Sequence, residues 1–260
     1  MVKAALVTGA GTGIGRATAI RLAEEGLALL LVGRREVPLR ETLALLSGSG
    51  HQVMSLDVSD RKAFHSAMEG IMGKPGSGAL DLVGVFANAG IGGANLYDQD
   101  AGQDRWDDIM RVNVTGVYVT LQVCRPYLAA SRNAVTHAVV TSSVLGRFGV
   151  PHQSAYVTSK TAVLGLVRSL ALEWGGEGIL VNAICPGWVE TDMARESIER
   201  MAEAQGMTYA ECHAQQCALL PTGKMSTPEE MAEAVVWLMS PRQTGMTGQG
   251  VDVNNGSWMA

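Results

Sequence analysis

The chain is poor in cysteine, and its four cysteines (Cys124, Cys185, Cys212 and Cys217) form no CxxC pair. No group of histidines stands near them at the spacing of metal ligands. His213 directly follows Cys212, and neighbours on a helix diverge by about 100°, so the two rarely share a metal. We therefore expect no metal site and reduced thiols that serve in packing, as is usual in the cytosol.

The chain also lacks an excess of basic residues and any long apolar run. Its 20 Lys and Arg residues against 25 Asp and Glu residues give a formal net charge of −5, whereas a nucleic-acid-binding protein normally has a basic face. The longest apolar runs, such as LALLLV, are too short to cross a bilayer. The opening MVKAALVTGAG reads as strand and turn, not as a signal segment. We expect a soluble cytoplasmic protein with no nucleic-acid or membrane partner.

The 260 residues do provide enough apolar material for a substantial core, since 47% are hydrophobic and 17% charged. Apolar, strand-like runs alternate with segments of helical period. The strand-like runs are Lys3–Val7, Ala28–Val32, Gln52–Leu56, Leu82–Ala87, Ala134–Thr141, Ile179–Ile184 and Gly250–Val253. The helical patterns lie near 14–25, 37–47, 60–72, 104–130, 155–174 and 228–239.

This alternation determines the predicted architecture. Continuously apolar strands separated by helices indicate a parallel sheet that is covered on both faces. We predict an α/β fold in which residues 1–260 form a single domain, a doubly wound (Rossmann) sheet of about seven parallel strands. Residues 191–227 break the alternation with short helical segments after a strand end. Such an insertion is a natural lid over a ligand crevice, and its methionines, Tyr209 and Leu219 predict a partly apolar pocket.

The glycine-rich stretch TGAGTGIG, at residues 8–15, follows the first strand and opens the first helix. This is the context that a dinucleotide-binding turn requires. Gly9 permits the tight turn, Gly13 lets the backbone approach a phosphate, and Gly15 lets helix and strand pack closely. The N–H groups at the start of the helix can then bind a pyrophosphate. The motif predicts a dinucleotide and leaves the reaction open.

A second group of polar residues lies at the end of the fifth strand and the start of the next helix. Tyr156 and Lys160 are four positions apart and share a helix face, while Ser142 and Ser143 end the strand at the edge where α/β crevices form. A phenol, an ammonium and a hydroxyl at this edge suit proton transfer to or from a carbonyl oxygen. Free tyrosine has a pKa near ~10, so we expect Lys160 and a cationic nicotinamide to lower the pKa of Tyr156 by roughly three units.

The order of these motifs resembles that of the classical short-chain dehydrogenase/reductase family over essentially the whole chain. The motifs are TGAGTGIG, DV at Asp57, NAG at Asn88, NVTG at Asn113, Ser143, YVTSK at Tyr156 and PGWVETDM at Pro186. The resemblance implies that Tyr156 is the acid/base and that Lys160 lowers its pKa and binds the nicotinamide ribose. It also implies that Ser143, and not Ser142, is the catalytic serine and that Asn113 supports a water-mediated proton relay.

The resemblance further implies a cofactor site along the same edge of the sheet. It places Asp57 by the adenine, Asn88 and Gly90 along the cofactor, and Val189 and Thr191 at the carboxamide. The implied cofactor-binding residues are Gly9, Thr12, Gly13, Ile14, Gly15, Arg34, Arg35, Asp57, Val58, Asn88, Ala89, Gly90, Tyr156, Lys160, Pro186, Gly187, Val189 and Thr191.

The end of the second strand bears on the choice between NADP(H) and NAD(H). The family often has an acidic residue there, which binds the ribose hydroxyls of NAD, whereas this chain has Gly33 followed by Arg34 and Arg35. A carboxylate repels a 2′-phosphate, while a guanidinium binds it with two charge-assisted hydrogen bonds. We therefore predict that NADP(H) is preferred. NAD(H) stays open, because Thr12 stands where many NADP-preferring relatives have a basic residue.

The predicted reaction is hydride transfer between a nicotinamide and a small ketone or secondary alcohol. The layout is similar to that of 3-oxoacyl thioester and polyketide ketoreductases. Glu177, however, stands where carrier-protein-dependent relatives often have a basic residue, so free ketones and CoA thioesters stay open. Residues expected to select the substrate are Leu145, 149–153, the region after Gly90, Trp188 and the insertion. The family also implies a homotetramer, assembled through 104–130, 155–174 and the C-terminal segment.

Three other functions are weighed against this one. The first is an NAD-dependent secondary alcohol dehydrogenase that works in the oxidative direction. The second is a non-catalytic cofactor-sensing protein, which would usually lack the tyrosine or the lysine. The third is a lyase or dehalogenase on the same scaffold, which would be expected to lack the glycine turn. Because all these features are present, an enzyme that acts on CH–OH groups is favoured.

Overall fold

A computed structural model describes residues 1–95 and 104–259 of the chain. Part of the region after Gly90, which is expected to contact substrate, lies outside these residues. Within them one parallel sheet is formed by strands β1 Val2–Thr8, β2 Ala28–Gly33, β3 Gln52–Ser55, β4 Leu80–Ala87, β5 Thr136–Thr141, β6 Ile179–Pro186 and β7 Gly250–Val253. The predicted sheet of seven parallel strands is confirmed.

Helices cover both faces of this sheet. They are α1 Gly13–Glu24, α2 Glu36–Leu45, α3 Arg61–Met72, α4 Trp106–Met110, α5 Val117–Ala129, α6 Ser154–Trp174, α7 Asp192–Gln205, α8 Tyr209–Ala218 and α9 Pro228–Leu238. In the described part of the chain, none of them has both the length and the hydropathy that a bilayer span requires.

The strand order places a crevice between β1 and β4. The order is β3-β2-β1-β4-β5-β6-β7, so the chain runs outward from β1 to one edge and then returns to the other side of β1. At such a switch point the loops that follow the two central strands diverge, and a ligand can enter between them. The glycine turn follows β1 and the NAG motif follows β4, so both line this crevice.

Alternate strand residues pack into two separate apolar cores, one on each face of the sheet. Leu6 and Leu30 belong to the core beneath α3, α5 and α6, whereas Val7 and Leu31 belong to the core beneath α1 and α9. Successive side chains of a strand point to opposite faces, so a sheet covered on both sides needs a continuous apolar run. This is why the strands were recognisable in the sequence.

The long helix expected over residues 104–130 is present from Trp106 to Ala129, but it contains a π-helical stretch. Between α4 and α5 the chain makes a π-helical turn at Arg111–Gly116. This turn places the buried Asn113 side chain against the backbone of Ile91. It also places Gly116 against Val58, whose Cγ2 atom would lie 2.6 Å from a Cβ at this position. A π turn accommodates one extra residue in a helix and often marks a functional site.

The insertion forms α7 and α8, which pack around a small apolar core of their own. We call this the insertion core; it consists of Ile198, Ala202, Cys212, Leu220 and Met225. Partly buried side chains that pack against it include those of Met201 and Tyr209. Met201 and Tyr209, which suggested a partly apolar pocket, thus pack on this core, and Leu219 is 71% exposed.

Candidate active site

The glycine turn leaves a set of backbone donors at the start of α1. Gly9 and Gly13 have positive φ values of 66° and 53°, a conformation that other residues rarely adopt. A Cβ on Gly15 would lie 2.8 Å from Nδ2 of Asn88. Thr12 stands at the N-cap without a side-chain capping bond, and the first turn holds no acidic residue. These free N–H groups fit the pyrophosphate of a dinucleotide.

Asn88 joins the ends of three neighbouring strands at the floor of the crevice. Its Nδ2 atom donates to the carbonyl oxygen of Thr8 at 3.2 Å, and its Oδ1 atom accepts from the Thr141 hydroxyl at 3.0 Å. The Thr8 hydroxyl accepts from the backbone N–H groups of Asn88 and Ala89, at 2.9 and 3.0 Å. The side chains of Thr8 and Thr141 thus shape the crevice, and no single-residue signal in the sequence identified them.

The two serines after β5 have different partners. The buried Ser142 hydroxyl donates to the carbonyl oxygen of Lys160 at 2.8 Å, which ties the strand end to α6. Ser143 caps the short 3₁₀ turn Val144–Gly146, and its Oγ atom accepts from the N–H of Leu145 at 3.1 Å. Because it only accepts there, the Ser143 hydroxyl keeps its hydrogen for another acceptor. The structure therefore favours Ser143 over Ser142 as the residue that meets a ligand.

Tyr156 and Lys160 face each other one turn apart at the start of α6. The Lys160 ammonium lies 5.6 Å from the centre of the Tyr156 ring and donates to the carbonyl oxygen of Thr141 at 2.8 Å. Burial lowers the pKa of Lys160 to about 8. Burial also raises the pKa of Tyr156 above its ordinary value, and the neighbouring Ser143 hydroxyl offsets only part of this rise.

The expected lowering of the pKa of Tyr156 is therefore wrong for the protein alone. The Lys160 charge was expected to act directly on the phenol. In the structure this ammonium is bonded to the Thr141 carbonyl, while the phenol loses solvation in the crevice. Desolvation disfavours the phenolate, and no bonded cation within the described residues compensates for it.

Asn113 holds the loop after β4 against the catalytic helix. Its Oδ1 atom accepts from the N–H of Ile91 at 2.8 Å, and its Nδ2 atom donates to the Ile91 carbonyl at 2.9 Å. Nδ2 also donates to the Ser159 hydroxyl at 3.1 Å, which in turn donates to the carbonyl oxygen of Tyr156. A Cβ on Gly90 would lie 3.3 Å from Asn113 Oδ1 and 3.6 Å from Lys160 Nζ.

Asp57 lies after β3 and is held by two neighbours. Its carboxylate accepts from the N–H and hydroxyl of Ser59, at 2.8 and 2.7 Å, and from the Arg111 guanidinium at 3.0 Å. Partial burial acts to raise the pKa of Asp57, but these hydrogen bonds outweigh burial and keep it below its ordinary value. Val58, beside it, is buried in the apolar core. The Arg111 contact was not anticipated from the sequence.

Arg34 and Arg35 are both exposed at the end of β2. The Arg34 carbonyl accepts from the Ser55 hydroxyl at 3.2 Å, which ties this end of β2 to β3. Arg16, one turn after Thr12, donates to Thr42 at 3.0 Å and pairs with a glutamate of α2. Its charge is therefore already balanced.

The last predicted residues follow β6. Pro186 ends this strand, and Gly187 packs against Asn254 with no room for a larger side chain. Val189 is buried, and Thr191 caps α7 by accepting from the N–H of Ala194 at 3.3 Å. The Cγ2 atom of Thr191 would lie 3.1 Å from a Cβ on Gly13. Thr12, Gly13 and Thr191 line one cavity of about 310 Å³, so the residues predicted at the pyrophosphate and at the carboxamide adjoin.

Comparisons with known proteins agree with this arrangement. Residues 9–257 match the family model described as enoyl-(acyl carrier protein) reductase. The chain is 31% identical over 256 residues to the 3-oxoacyl-(acyl-carrier-protein) reductase FabG of Thermotoga maritima, covering 98% of this chain and 97% of that one. The chain belongs to the short-chain dehydrogenase/reductase family.

Solved structures of the family superpose closely. An actinorhodin polyketide ketoreductase with NADPH matches with a TM-score of 0.88 and 33% identity, covering 98% of this chain and 97% of that one. Levodione reductase matches with a TM-score of 0.85 and 29% identity, covering 98% and 96%. The chain is accordingly a short-chain dehydrogenase/reductase that uses a nicotinamide cofactor and acts on CH–OH or ketone groups.

The substrate side of this short-chain dehydrogenase/reductase site is lined by a residue of the insertion. A Cβ on Gly92 would lie 3.0 Å from the Met193 sulfur and 3.7 Å from Cε2 of Tyr156. Met193, in the first turn of α7, and the Tyr156 ring thus both lie beside Gly92. Within the described residues no three His, Cys, Asp or Glu side chains cluster closely enough to hold a metal ion.

Proposed function

We propose that this chain is an NADP(H)-dependent ketoreductase that transfers hydride between the nicotinamide and a ketone or secondary alcohol. The observation that carries the proposal is the meeting of Ser143, Tyr156 and Lys160 at the carboxyl edge of the sheet, beside the glycine turn. An acid, a cation and a hydroxyl donor there match the needs of carbonyl reduction.

In the proposed reaction each of these residues has a distinct part. The nicotinamide, when bound, supplies the hydride. Tyr156 donates its proton to the carbonyl oxygen, and its raised pKa keeps the phenol protonated at neutral pH, as reduction requires. The Ser143 hydroxyl donates a hydrogen bond to the same oxygen. Lys160 and Asn113 form the base of the site, and Asn113 supports the water-mediated proton relay.

The preference for NADP(H) rests on the charge at the end of β2. Within the described residues, no carboxylate lies within 4.0 Å of the Arg34 guanidinium. Arg34 is therefore available for a 2′-phosphate, with Arg35 as the second candidate. Arg16 contributes little, because it already pairs with Glu41. The similar ketoreductase structure with NADPH supports the same choice.

For the substrate we favour free ketones or CoA thioesters over ketones attached to a carrier protein. Glu177 pairs with Arg125 on the neighbouring helix α5, which neutralises a cation that an acidic partner protein could otherwise bind. The relative from Thermotoga maritima is named for a carrier-protein substrate, which is the alternative that this ion pair argues against.

We also propose that the domain works as a homotetramer in which residues 191–227 cover the site. Large apolar side chains stand exposed on the helices expected at the subunit contacts: Leu172 of α6 is 88% exposed and Trp106 of α4 is 40% exposed. Burying them in an interface removes apolar surface from water. Sedimentation equilibrium of the purified protein should give four times the monomer mass.

The direct test of this function is a panel of ketones and secondary alcohols, assayed in parallel with NADPH, NADH and their oxidised forms. We expect ketone reduction with NADPH to have the highest kcat/KM. A clear preference for alcohol oxidation with NAD would instead support the alcohol dehydrogenase alternative. Absence of turnover, combined with measurable cofactor binding, would support the cofactor-sensing alternative.

A further inference from the structure

Two arginines from distant parts of the chain converge on Gly93. The Arg105 guanidinium donates through Nη1 to the carbonyl oxygen of Gly92 at 2.5 Å. A Cβ on Gly93 would meet this guanidinium and would lie 3.7 Å from Nη2 of Arg200 in α7. Gly93 has a φ of 116°, a conformation that residues with a side chain rarely adopt. A glycine therefore lies between the two guanidinium groups. Two cations thus stand at one point of the crevice mouth.

This point adjoins the reacting group. Gly92 lies beside the Met193 sulfur and the Tyr156 ring, and a Cβ on Gly92 would be 3.7 Å from Cε2 of Tyr156. Because successive Cα atoms are about 3.8 Å apart, the Arg200 guanidinium is at most about 14 Å from the Tyr156 ring. A substrate whose carbonyl meets Tyr156 can therefore reach the arginines through a chain of several bonds.

The orientation of Arg200 follows from the register of α7. Met193, Ser197 and Arg200 are four and three positions apart, so they share one helix face. The Ser197 hydroxyl donates to the Met193 carbonyl at 2.8 Å, and Arg200 Nη2 lies 3.4 Å from Ser197 Oγ. The face of α7 that places Met193 beside Gly92 thus also places the Arg200 side chain beside Gly93.

The two arginines also differ electrostatically from others nearby. In residues 1–95 and 104–259, no carboxylate lies within 4.0 Å of either guanidinium. Arg195 on the same helix, by contrast, pairs with Glu199 at 3.1 Å. A guanidinium has five N–H donors, and Arg105 uses one of them on Gly92. Arg200 uses one of its donors on Ser197, so within residues 1–95 and 104–259 most N–H donors of the two guanidinium groups have no partner and are available to a ligand.

We propose that Arg105 and Arg200 form an anion-binding subsite, and that the substrate is a ketone with a carboxylate, sulfonate or phosphate group at its far end. This inference rests on the proposed ketone reduction for the position of the carbonyl. It adds a substrate class, because paired guanidinium groups bind such anions with short, charge-assisted hydrogen bonds.

The kinetic test compares anionic ketones with their neutral esters. Suitable pairs are 4-oxopentanoate, 7-oxooctanoate and 9-oxodecanoate with the methyl ester of each, assayed with NADPH at low ionic strength. For the oxo acid whose chain length best spans Tyr156 and the arginines, we expect kcat/KM to be at least about tenfold higher than for its ester. Arg200→Gln should remove most of this preference through KM, and Arg200→Lys should retain part of it. Arg195→Gln removes the same charge from the same helix and should leave the preference unchanged.

A binding test decides the subsite independently of turnover. Octanoate and its neutral analogue octanamide are titrated calorimetrically into the protein with NADPH. We expect the wild type to bind octanoate about tenfold more tightly than octanamide, Arg200→Gln to lose the difference, and added salt to reduce it.

The outcomes separate the two proposals. If no ketone is reduced but octanoate is preferred in an Arg200-dependent way, the subsite stands and the ketoreductase function fails. If ketones are reduced while acids and esters react equally and octanoate and octanamide bind equally, the function stands and the subsite is overturned. Equal effects of Arg195→Gln and Arg200→Gln would also overturn it, since general charge would then explain the preference.

Discussion

The Lys160 ammonium donates to the carbonyl oxygen of Thr141, 2.8 Å away, at the last residue of β5. The lysine is only 5% exposed. A cation in such a place is held by one neutral acceptor, and burial accordingly lowers the pKa of Lys160 to about 8. The protein thus keeps a destabilising charge at the centre of its site, as expected where function takes precedence over stability.

Replacing this lysine should stabilise the fold. At pH 7 the lowered pKa corresponds to about 3 kcal/mol of destabilisation, and losing the bond to Thr141 costs about 1 kcal/mol. Lys160→Met should therefore unfold in urea with a free energy about 2 kcal/mol above that of the wild type. Between pH 8 and 10.5 the unfolded chain binds more protons than the folded one, so wild-type stability rises with pH and the advantage shrinks. A variant less stable than the wild type at pH 7 would contradict this.

Removing the Tyr156 hydroxyl should abolish chemistry and preserve cofactor binding. Tyr156→Phe keeps the ring next to Lys160 and Met193, but it cannot donate a proton. We expect kcat for ketone reduction to fall about 1,000-fold, while the NADPH dissociation constant changes less than about tenfold. The exposed Tyr118 on α5 offers a matched control, and Tyr118→Phe should leave both quantities unchanged. Substantial activity in Tyr156→Phe would show that another group supplies the proton.

Replacing Arg34 should separate the two nicotinamide cofactors. Arg34→Ala removes the proposed partner of the 2′-phosphate, so the dissociation constant of NADPH should rise at least about tenfold, with little change for NADH. Arg35→Ala should have a smaller effect of the same kind. Arg40 pairs with Glu36 on α2. Arg40→Ala is therefore a control that should change neither the NADPH nor the NADH dissociation constant. Equal loss of both cofactors in Arg34→Ala would remove the NADP(H) assignment.

His137 should make the fold sensitive to mild acid. It is 2% exposed on β5, and neither ring nitrogen has a hydrogen-bond partner among the described residues. Burial lowers the pKa of His137 to about 4, so between about pH 6.5 and 4 the unfolded chain binds the extra proton. Stability should fall as pH falls, by about 2 kcal/mol from pH 7 to pH 5.

The matched variant for this effect is His137→Leu, which fills the same buried position without a titratable group. Urea denaturation at pH 7 and pH 5 should show that the loss of stability on acidification is about 2 kcal/mol smaller in the variant. If both proteins lose the same amount, other groups govern the acid response.

The sheet and the catalytic helix were predictable because their signals are local. A continuously apolar strand such as β2 is recognisable from its six residues, and the spacing of Tyr156 and Lys160 fixes a shared face wherever a helix forms. The bounds of α6 differ from the predicted 155–174 by a single residue. The choice of Ser143 over Ser142 came from the family resemblance and stays a prediction.

The remaining features depend on contacts between distant segments. The π turn around Asn113 packs against Ile91 and Val58, which follow β4 and β3. The helical periodicity of residues 104–130 does not reveal these contacts. The direction of the pKa shift of Tyr156 depends on burial, which the spacing to Lys160 does not reveal. Arg105 and Arg200 are separated by most of two further βα units, so only the folded chain brings their charges together.

The insertion core separates the packing of α7 and α8 in this chain from that of the sheet. Because α7 and α8 pack on Ile198, Cys212 and their neighbours, substitutions there strain a small local unit and leave the two large cores intact. Residues on the opposite side, which faces the site, such as Met193 and Arg200, can then be substituted with little change in the free energy of unfolding. A chimera that exchanges residues 192–225 between two relatives should inherit the specificity of the donor and the stability of the recipient.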